Sequence, residues 1–320
     1  MLSAQKEDAL GADARYRAGR TSTLVSIVVN LGLTALQIGA GIFSGSQALV
    51  ADGVHSLSDL VSDFVVLFAA RHSRKEADAD HQYGHQRYEN AASLALGALL
   101  LAVGIGMLAS AAQKIQAYGH TPPVHAAALW VALAALLAKE LLFRYMLAVA
   151  RRVRSSMLVA NAWHARSDAA SSLVVALGIA ASLGGFTLLD PAAAAVVGLM
   201  VLRMGWRFFW SALSDLMDRA VSEEESQAIR ATLLDTPGVH GLHDLRTRRM
   251  GDMTQVDVHL EIDGALTVAE GHAIAAAARR RVLDAHNVLD VMTHVDPVAA
   301  GAGADRAAGT RRSDTARSNM

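Results

Sequence analysis

Apolar runs of about 20 residues recur six times between residues 22 and 212, and charged residues collect between them. A helix of that length matches the ~30 Å hydrocarbon core of a bilayer. In lipid, each backbone N–H and C=O must find its partner inside the segment, so such runs are restricted to helix. The pattern excludes a soluble globular domain here. It predicts spans near 22–43, 47–70, 90–112, 124–149, 157–183 and 190–211. Only "SGSQ" separates the first two, which therefore form a tight hairpin. Gly184-Gly185 and Asp190-Pro191 punctuate the turn between the last two.

The loops set an orientation. One side carries Arg15, Arg17 and Arg20, then Arg71, Arg74, Lys75 and Arg87, then Arg151, Arg152 and Arg154, then Arg203 and Arg207. The other side has Lys114 and little else. Positive charge stays on the cytoplasmic side, so both termini are expected there. The N-terminal 21 residues are charged and show no cleavable signal pattern. With no organelle signal in view, the bacterial inner membrane is the expected location.

After residue 212 the texture changes. Ser222 with Glu225 reads as a capping box for a helix through about 235. "VHGLHDLRTRRM" and "TQVDVHLEID" read as strands joined at a Gly-Asp turn. In the second, Val256, Val258, Leu260 and Ile262 alternate with Asp257, His259 and Glu261, the period of a half-buried strand. Thr267 with Glu270 caps a helix through about Ala285, and "VLDVMTHV" is a last strand. The fold class expected is an α-helical membrane protein with six transmembrane helices plus a C-terminal α+β domain of order αββαβ, ferredoxin-like and cytoplasmic. The domain boundaries expected are 1–21 as an N-terminal cytoplasmic segment, 22–212 as the membrane domain, 213–298 as the tail domain and 299–320 as a disordered end.

Chemistry lies within the spans. His55 and Asp59 sit four apart on the second run, and His164 and Asp168 repeat that spacing on the fifth. Residues four apart share a helix face. Two such pairs can converge to two nitrogens and two oxygens, a tetrahedral set for zinc. Ionisable residues at membrane depth are costly and mark substrate paths. Two carboxylates also neutralise a divalent cation held in low dielectric. The plainer reading, polar residues bonding helices together, accounts less well for two matched pairs. For Asn30, Asp52, Asp63, Lys139, Glu140 and Asn161 that plainer reading, packing, capping or helix–helix bonds, is favoured over metal binding. The chain has no cysteine, so thiolate sites are unavailable, and its net charge of −1 gives no basis for nucleic-acid binding.

Other function classes fit poorly. The only lysines are Lys6, Lys75, Lys114 and Lys139, and none stands in GxxxxGK[ST], so no Walker A loop powers a pump. No H-E-x-x-H is present, so a zinc protease is not expected either, and the chain reads as a non-enzyme. A non-transporting metal sensor or scaffold is the remaining alternative, against which the complete four-ligand set argues.

The motifs "ALVADGVHSLSDLVSD", "YGHQRYEN", "NAWHARSD", "HDLRTR", "HLE" and "HVDP" together resemble those of the cation diffusion facilitators over about residues 20–298. The resemblance implies export of a divalent metal, commonly zinc, across the lipid bilayer in exchange for protons, by a homodimer. It maps the transport site onto His55, Asp59, His164 and Asp168, with His at 55 the zinc-favouring version. Iron, cobalt, nickel, cadmium and manganese stay open as alternative metals. It also implies a second metal site at Asp78, His81 and His85. It implies a binuclear site in the tail at His243, His259, His272, His294 and Asp296, at the dimer interface. Arg87 and Asp218 match a charge pair between the two domains, usually Lys where Arg87 stands. Trp163 is either a gate for the site or an interfacial anchor.

Overall fold

The computed structural model describes residues 2–299 apart from Arg74, 118–123 and 153–155. Within helices, the side chains of 2–20, 66–67, 70, 156–157, 160–161 and 164 also lie outside the described residues. The expectation for 299–320 falls almost wholly outside them, as do Arg74, Arg154 and the side chains of Arg15, Arg17, Arg20 and Asn161.

Six long helices come first: α1 (Leu2–Ser44), α2 (Gln47–Ser73), α3 (Arg87–Gln116), α4 (Ala127–Arg152), α5 (Ser156–Leu183) and α6 (Leu189–Leu216). The helices outrun the apolar runs at several ends, most of all α1, which begins at Leu2. Among the described residues, four helices are long and apolar enough to cross a membrane: Thr21–Ser44, Arg87–Gln116, Ala165–Leu183 and Leu189–Leu216. The sequence predicted six. The other two are α2, with Asp52, Asp59 and Asp63 along it, and α4, with Lys139, Glu140 and Arg144.

The chain divides into two compact units: Met1–Leu67 with Ala95–Phe209, and Phe68–Leu94 with Trp210–Met320. In the first, small residues let helices approach closely. A Cβ on Gly97, Gly104 or Gly205 would collide with backbone or side-chain atoms of the facing helix, α3 against α6. The core includes Leu49, Val175, Ile179 and Val197, all fully buried. Outward faces carry Leu24, Val28, Leu99, Leu177 and Leu199. An apolar exterior of this kind suits lipid as solvent.

The α1–α2 hairpin is pinned from a distance. Gly45 turns with φ 71°, a left-handed conformation that glycine adopts without strain. Ser46 Oγ accepts from Leu49 N at 3.2 Å as a local cap. The carboxylate of Asp190, fully buried at the start of α6, accepts from Gln47 N at 2.9 Å. It thus places an anion at the positive end of α2.

In the second unit, α7 (Glu223–Leu234), β1 (Gly241–Met250), β2 (Met253–Asp263), α8 (Val268–Ala285) and β3 (Val288–Val298) follow in the αββαβ order expected. The sheet order is β1-β2-β3, with β1–β2 antiparallel and β2–β3 parallel. Val256, Val258, Leu260 and Ile262 are buried against Ile229, Leu233, Ala278 and Val282, as their alternation predicts. Ser222 caps α7 through Glu225 N. The Glu225 carboxylate does not complete that box: it accepts from Arg249 Nη2 at 3.1 Å and Thr254 Oγ1 at 3.0 Å, two donors that become available only when the sheet packs on the helix.

Thr267 and Glu270 do form a reciprocal capping box on α8. The Thr267 N–H and hydroxyl hold the Glu270 carboxyl below the usual glutamate range. A carboxyl lowered in the fold contributes stability above its unfolded pKa, and that contribution is lost as pH falls through the folded value. Glu270→Gln is therefore expected to lower the unfolding temperature of the tail at pH 7. The difference from the parent should vanish as the medium is acidified below about pH 4, as read by calorimetry across a pH series.

Candidate metal centres

The first centre is built by α2 and α5. His55 and Asp59 are one turn apart on α2, with His55 Nδ1 at 3.6 Å from Asp59 Oδ2. His55 is buried and Asp59 is half-buried. Asp168 joins them from α5: one ligand atom from each of the three falls within 4.8 Å of the others. Ligands held about 2.0–2.1 Å from a tetrahedral ion lie roughly 3.3 Å apart, so small rotamer changes would close this set. The donors, one imidazole and two carboxylates from two helices, suit a divalent cation. His164 precedes Asp168 by one turn on α5, and its side chain lies outside the described residues. A small cavity beside the set is lined by Asn30, Asp59, Asp63, Lys139 and Asp168.

Two residues weighed on sequence find other company. Trp163 packs against Phe143, ring centroids 5.6 Å apart, and the Arg166 guanidinium lies over both rings. Glu140 accepts from Arg144 Nε at 2.8 Å, one turn along α4.

The second centre is the loop between α2 and α3. Asp78 Oδ1 accepts from His81 N at 2.8 Å and Asp80 N at 3.1 Å, which folds the loop back on itself. The His81 and His85 rings lie 4.6 Å apart, tilted by 44°, and His85 Nε2 lies 3.5 Å from Asp78 Oδ2. The other nitrogen of His85, Nδ1, lies 3.1 Å from the Glu76 carbonyl. A carbonyl only accepts, so Nδ1 carries a proton, and Nε2 is the nitrogen that faces Asp78 and could serve as a metal ligand. Asp78, His81 and His85 together meet the spacing for a shared ion. Lys75 donates to Asp78 Oδ2 at 2.6 Å and holds its carboxyl well below the usual carboxylate range. A metal at this site must displace that ammonium. Also in this unit, Arg87 pairs with Asp218, which sits in the left-handed region at φ 61°. Both side chains are substantially exposed, so the pair contributes little stability by itself.

The third centre lies across the tail sheet. Register places His243 of β1 opposite His259 of β2, and His259 opposite His294 of β3. The three imidazoles form a row, with ring centroids 5.0 and 4.6 Å apart. Asp296, two residues after His294 on the same strand face, touches all three: 3.0 Å from His243 Nε2, 2.9 Å from His259 Nδ1 and 3.3 Å from His294 Nε2. The hydrogen bond from His259 is the main reason its carboxyl lies below the usual range. A register shift follows His243, where Asp244 takes φ 48°; such a bulge re-aims the strand beside the site. His243, His259 and Asp296 meet the spacing for an ion. His272 is exposed on α8 and belongs to none of the three groups.

The family model described as the cation efflux transmembrane domain matches residues 23–217, and the one described as the cation efflux protein cytoplasmic domain matches 221–298. Magnetosome protein MamB of Magnetospira sp. is 34% identical over 271 residues, covering 84% of this chain and 92% of that one. Manganese efflux system protein MneS of Bacillus subtilis is 32% identical, covering 88% and 97%. Metal tolerance protein C1 of Arabidopsis thaliana is 33% identical over 288 residues, 85% of this chain, which spans 61% of the plant protein's length.

Proposed function

Because the chain belongs to the cation diffusion facilitator, or cation efflux, family, we propose that it exports zinc in exchange for protons, with His55, Asp59, His164 and Asp168 as the transport site. The observation that carries the reading is the convergence of His55, Asp59 and Asp168 from two helices on one point. His164 supplies the fourth ligand on this reading, one turn from Asp168. The domain boundaries are those expected from sequence, with 22–212 as a membrane domain of six spans. Exposed Phe64 on α2 and Trp130, Leu137 and Leu141 on α4 support counting those two helices as spans. Both termini are cytoplasmic, the membrane is a bacterial inner membrane, and the working unit is a homodimer assembled through the tail.

Zinc is favoured over manganese by the donor atoms. Imidazole nitrogen suits zinc, whereas manganese prefers oxygen ligands. The relative named for manganese makes that ion the first alternative to measure. The two other centres bind the same metal, and the tail site senses cytoplasmic metal load. Alternating access moves the ion: the transport site faces one side, then the other.

Proton coupling follows from ligand chemistry. Metal needs neutral imidazole, and an unperturbed histidine titrates near pH 6.5. Metal binding therefore expels protons, and protonation on the acidic side releases the metal. Purified protein in liposomes should show zinc uptake that rises several-fold when a pH gradient is imposed, and weaker manganese uptake. Flux indifferent to the gradient would remove proton exchange from the reading. No flux of either ion from a folded dimer that still binds zinc would favour the sensor or scaffold role.

A further inference from the structure

One turn from the ligands of the first centre lies a polar cage that the transport reading does not use. Lys139 of α4 and Asp52 of α2 are 3% and 1% exposed. Lys139 Nζ donates to Asp52 Oδ1 at 3.4 Å, Ser56 Oγ at 3.1 Å and Ser172 Oγ at 2.7 Å. Three acceptors around one nitrogen match the three N–H groups of an ammonium. Asp52 also accepts from Ser172 Oγ at 2.6 Å and from Gln37 Nε2 of α1. Its oxygens are ringed by donors, as an ionised carboxylate requires.

The cage is tied to the ligands on both sides. Ser56 follows His55 directly. Ser171 Oγ donates to the backbone carbonyl of Asp168 at 2.7 Å, and Ser172 Oγ lies 3.3 Å from the same oxygen. Lys139 also lines the cavity that Asp59, Asp63 and Asp168 line. The ion pair thus sits between the two ligand-bearing helices and beside the place a divalent cation would occupy.

We propose that Lys139 and Asp52 are a positioning pair for the transport site, holding α2 and α5 at ligand distance while the ammonium, balanced by Asp52, sets how tightly the site holds a divalent cation. The proposal rests on the reading of His55, Asp59 and Asp168 as the transport site. A buried pair is neutral as a unit. Removing Asp52 leaves an unbalanced positive charge near the bound ion. Removing Lys139 leaves an unbalanced negative one. In a low-dielectric interior these act on a divalent cation with opposite signs.

The test uses that sign. Zinc and, in parallel, manganese flux is measured in liposomes for Asp52→Asn, Lys139→Met, the double variant, Lys139→Arg and Asp168→Asn. Half-saturating metal concentration is read separately from maximal rate. Asp52→Asn should raise the half-saturating concentration about tenfold. Lys139→Met should lower it. The double variant should return near the parent value, and Lys139→Arg should retain more of it than Lys139→Met does. Equal weakening in both single variants, with no recovery in the double, would show packing alone and overturn the proposal. Should Lys139→Met fail to fold, Asp52→Asn and the double variant carry the comparison: recovery in the double supports the pair, and its absence overturns it. Unchanged flux in Asp168→Asn would instead overturn the transport-site reading itself, independently of the pair.

Discussion

Asp168→Asn is expected to reduce zinc flux by about two orders of magnitude while leaving the fold intact. Asparagine keeps the size and one carbonyl oxygen, and Asp168 stands at the junction of three ligand atoms within 4.8 Å. What the exchange removes is one negative charge. With Asp59 and Asp168 both ionised, a divalent cation at the site is neutralised. With one lost, the occupied site carries a net positive charge in the membrane. Insertion scales put such a charge at about 2.5–3.5 kcal/mol, and each 1.4 kcal/mol is about tenfold. The measurement is initial zinc flux in liposomes across a range of zinc concentrations. Thermal unfolding of the same preparation would confirm that the helices still pack. His55→Asp makes the complementary comparison. It keeps a ligand but trades nitrogen for oxygen, so it should raise manganese flux relative to zinc.

Asp296→Ala in the tail is expected to abolish most zinc-dependent stabilisation of that domain. Its carboxylate lies within 3.3 Å of imidazole nitrogens on all three strands, so it is the point where His243, His259 and His294 meet. A metal at a hundredfold excess over its dissociation constant shifts the folding equilibrium about a hundredfold, which a domain of this size registers as roughly 10 °C or more in Tm. Calorimetry of the intact, detergent-purified protein with zinc and with chelator reads this directly. The parent should show the shift and the variant only a remnant. The dependence on pH has a definite sign. Asp296 is lowered in the folded domain, so its own contribution is present at neutral pH and fades as the medium becomes strongly acidic. The zinc-dependent part should fade earlier on acidification, because protons compete with the metal for imidazole nitrogen. A tail that unfolds at the same temperature with and without zinc would count against a metal site there.

Much of this protein is legible in its residues one segment at a time. The apolar run length dictates helix, the alternation of Val256, Val258, Leu260 and Ile262 dictates a half-buried strand, and Thr267 with Glu270 caps α8 as written. The i, i+4 spacing of His55 with Asp59 places both on one face before any partner is known. These are local rules, in which a residue's neighbours along the chain settle its geometry. Tertiary structure decided the rest. Nothing local says that α2 meets α5, so the closing of Asp168 on His55 and Asp59 required the fold. Lys139 and Asp52 are 87 residues apart, and the sequence favours packing, capping or helix–helix bonds for each without naming a partner; helix packing joins them as one ion pair. Asp190, legible as a turn before a proline, caps a helix that begins 143 residues earlier. Glu225 had a local partner available and took Arg249 and Thr254 instead. The row of three imidazoles depends on strand register, which places His243, His259 and His294 in line although they are scattered through the chain. Periodicity and capping act over one or two turns, so they are written in sequence. Buried charge and converging ligands are satisfied across space, and only the packed structure specifies which distant groups do so.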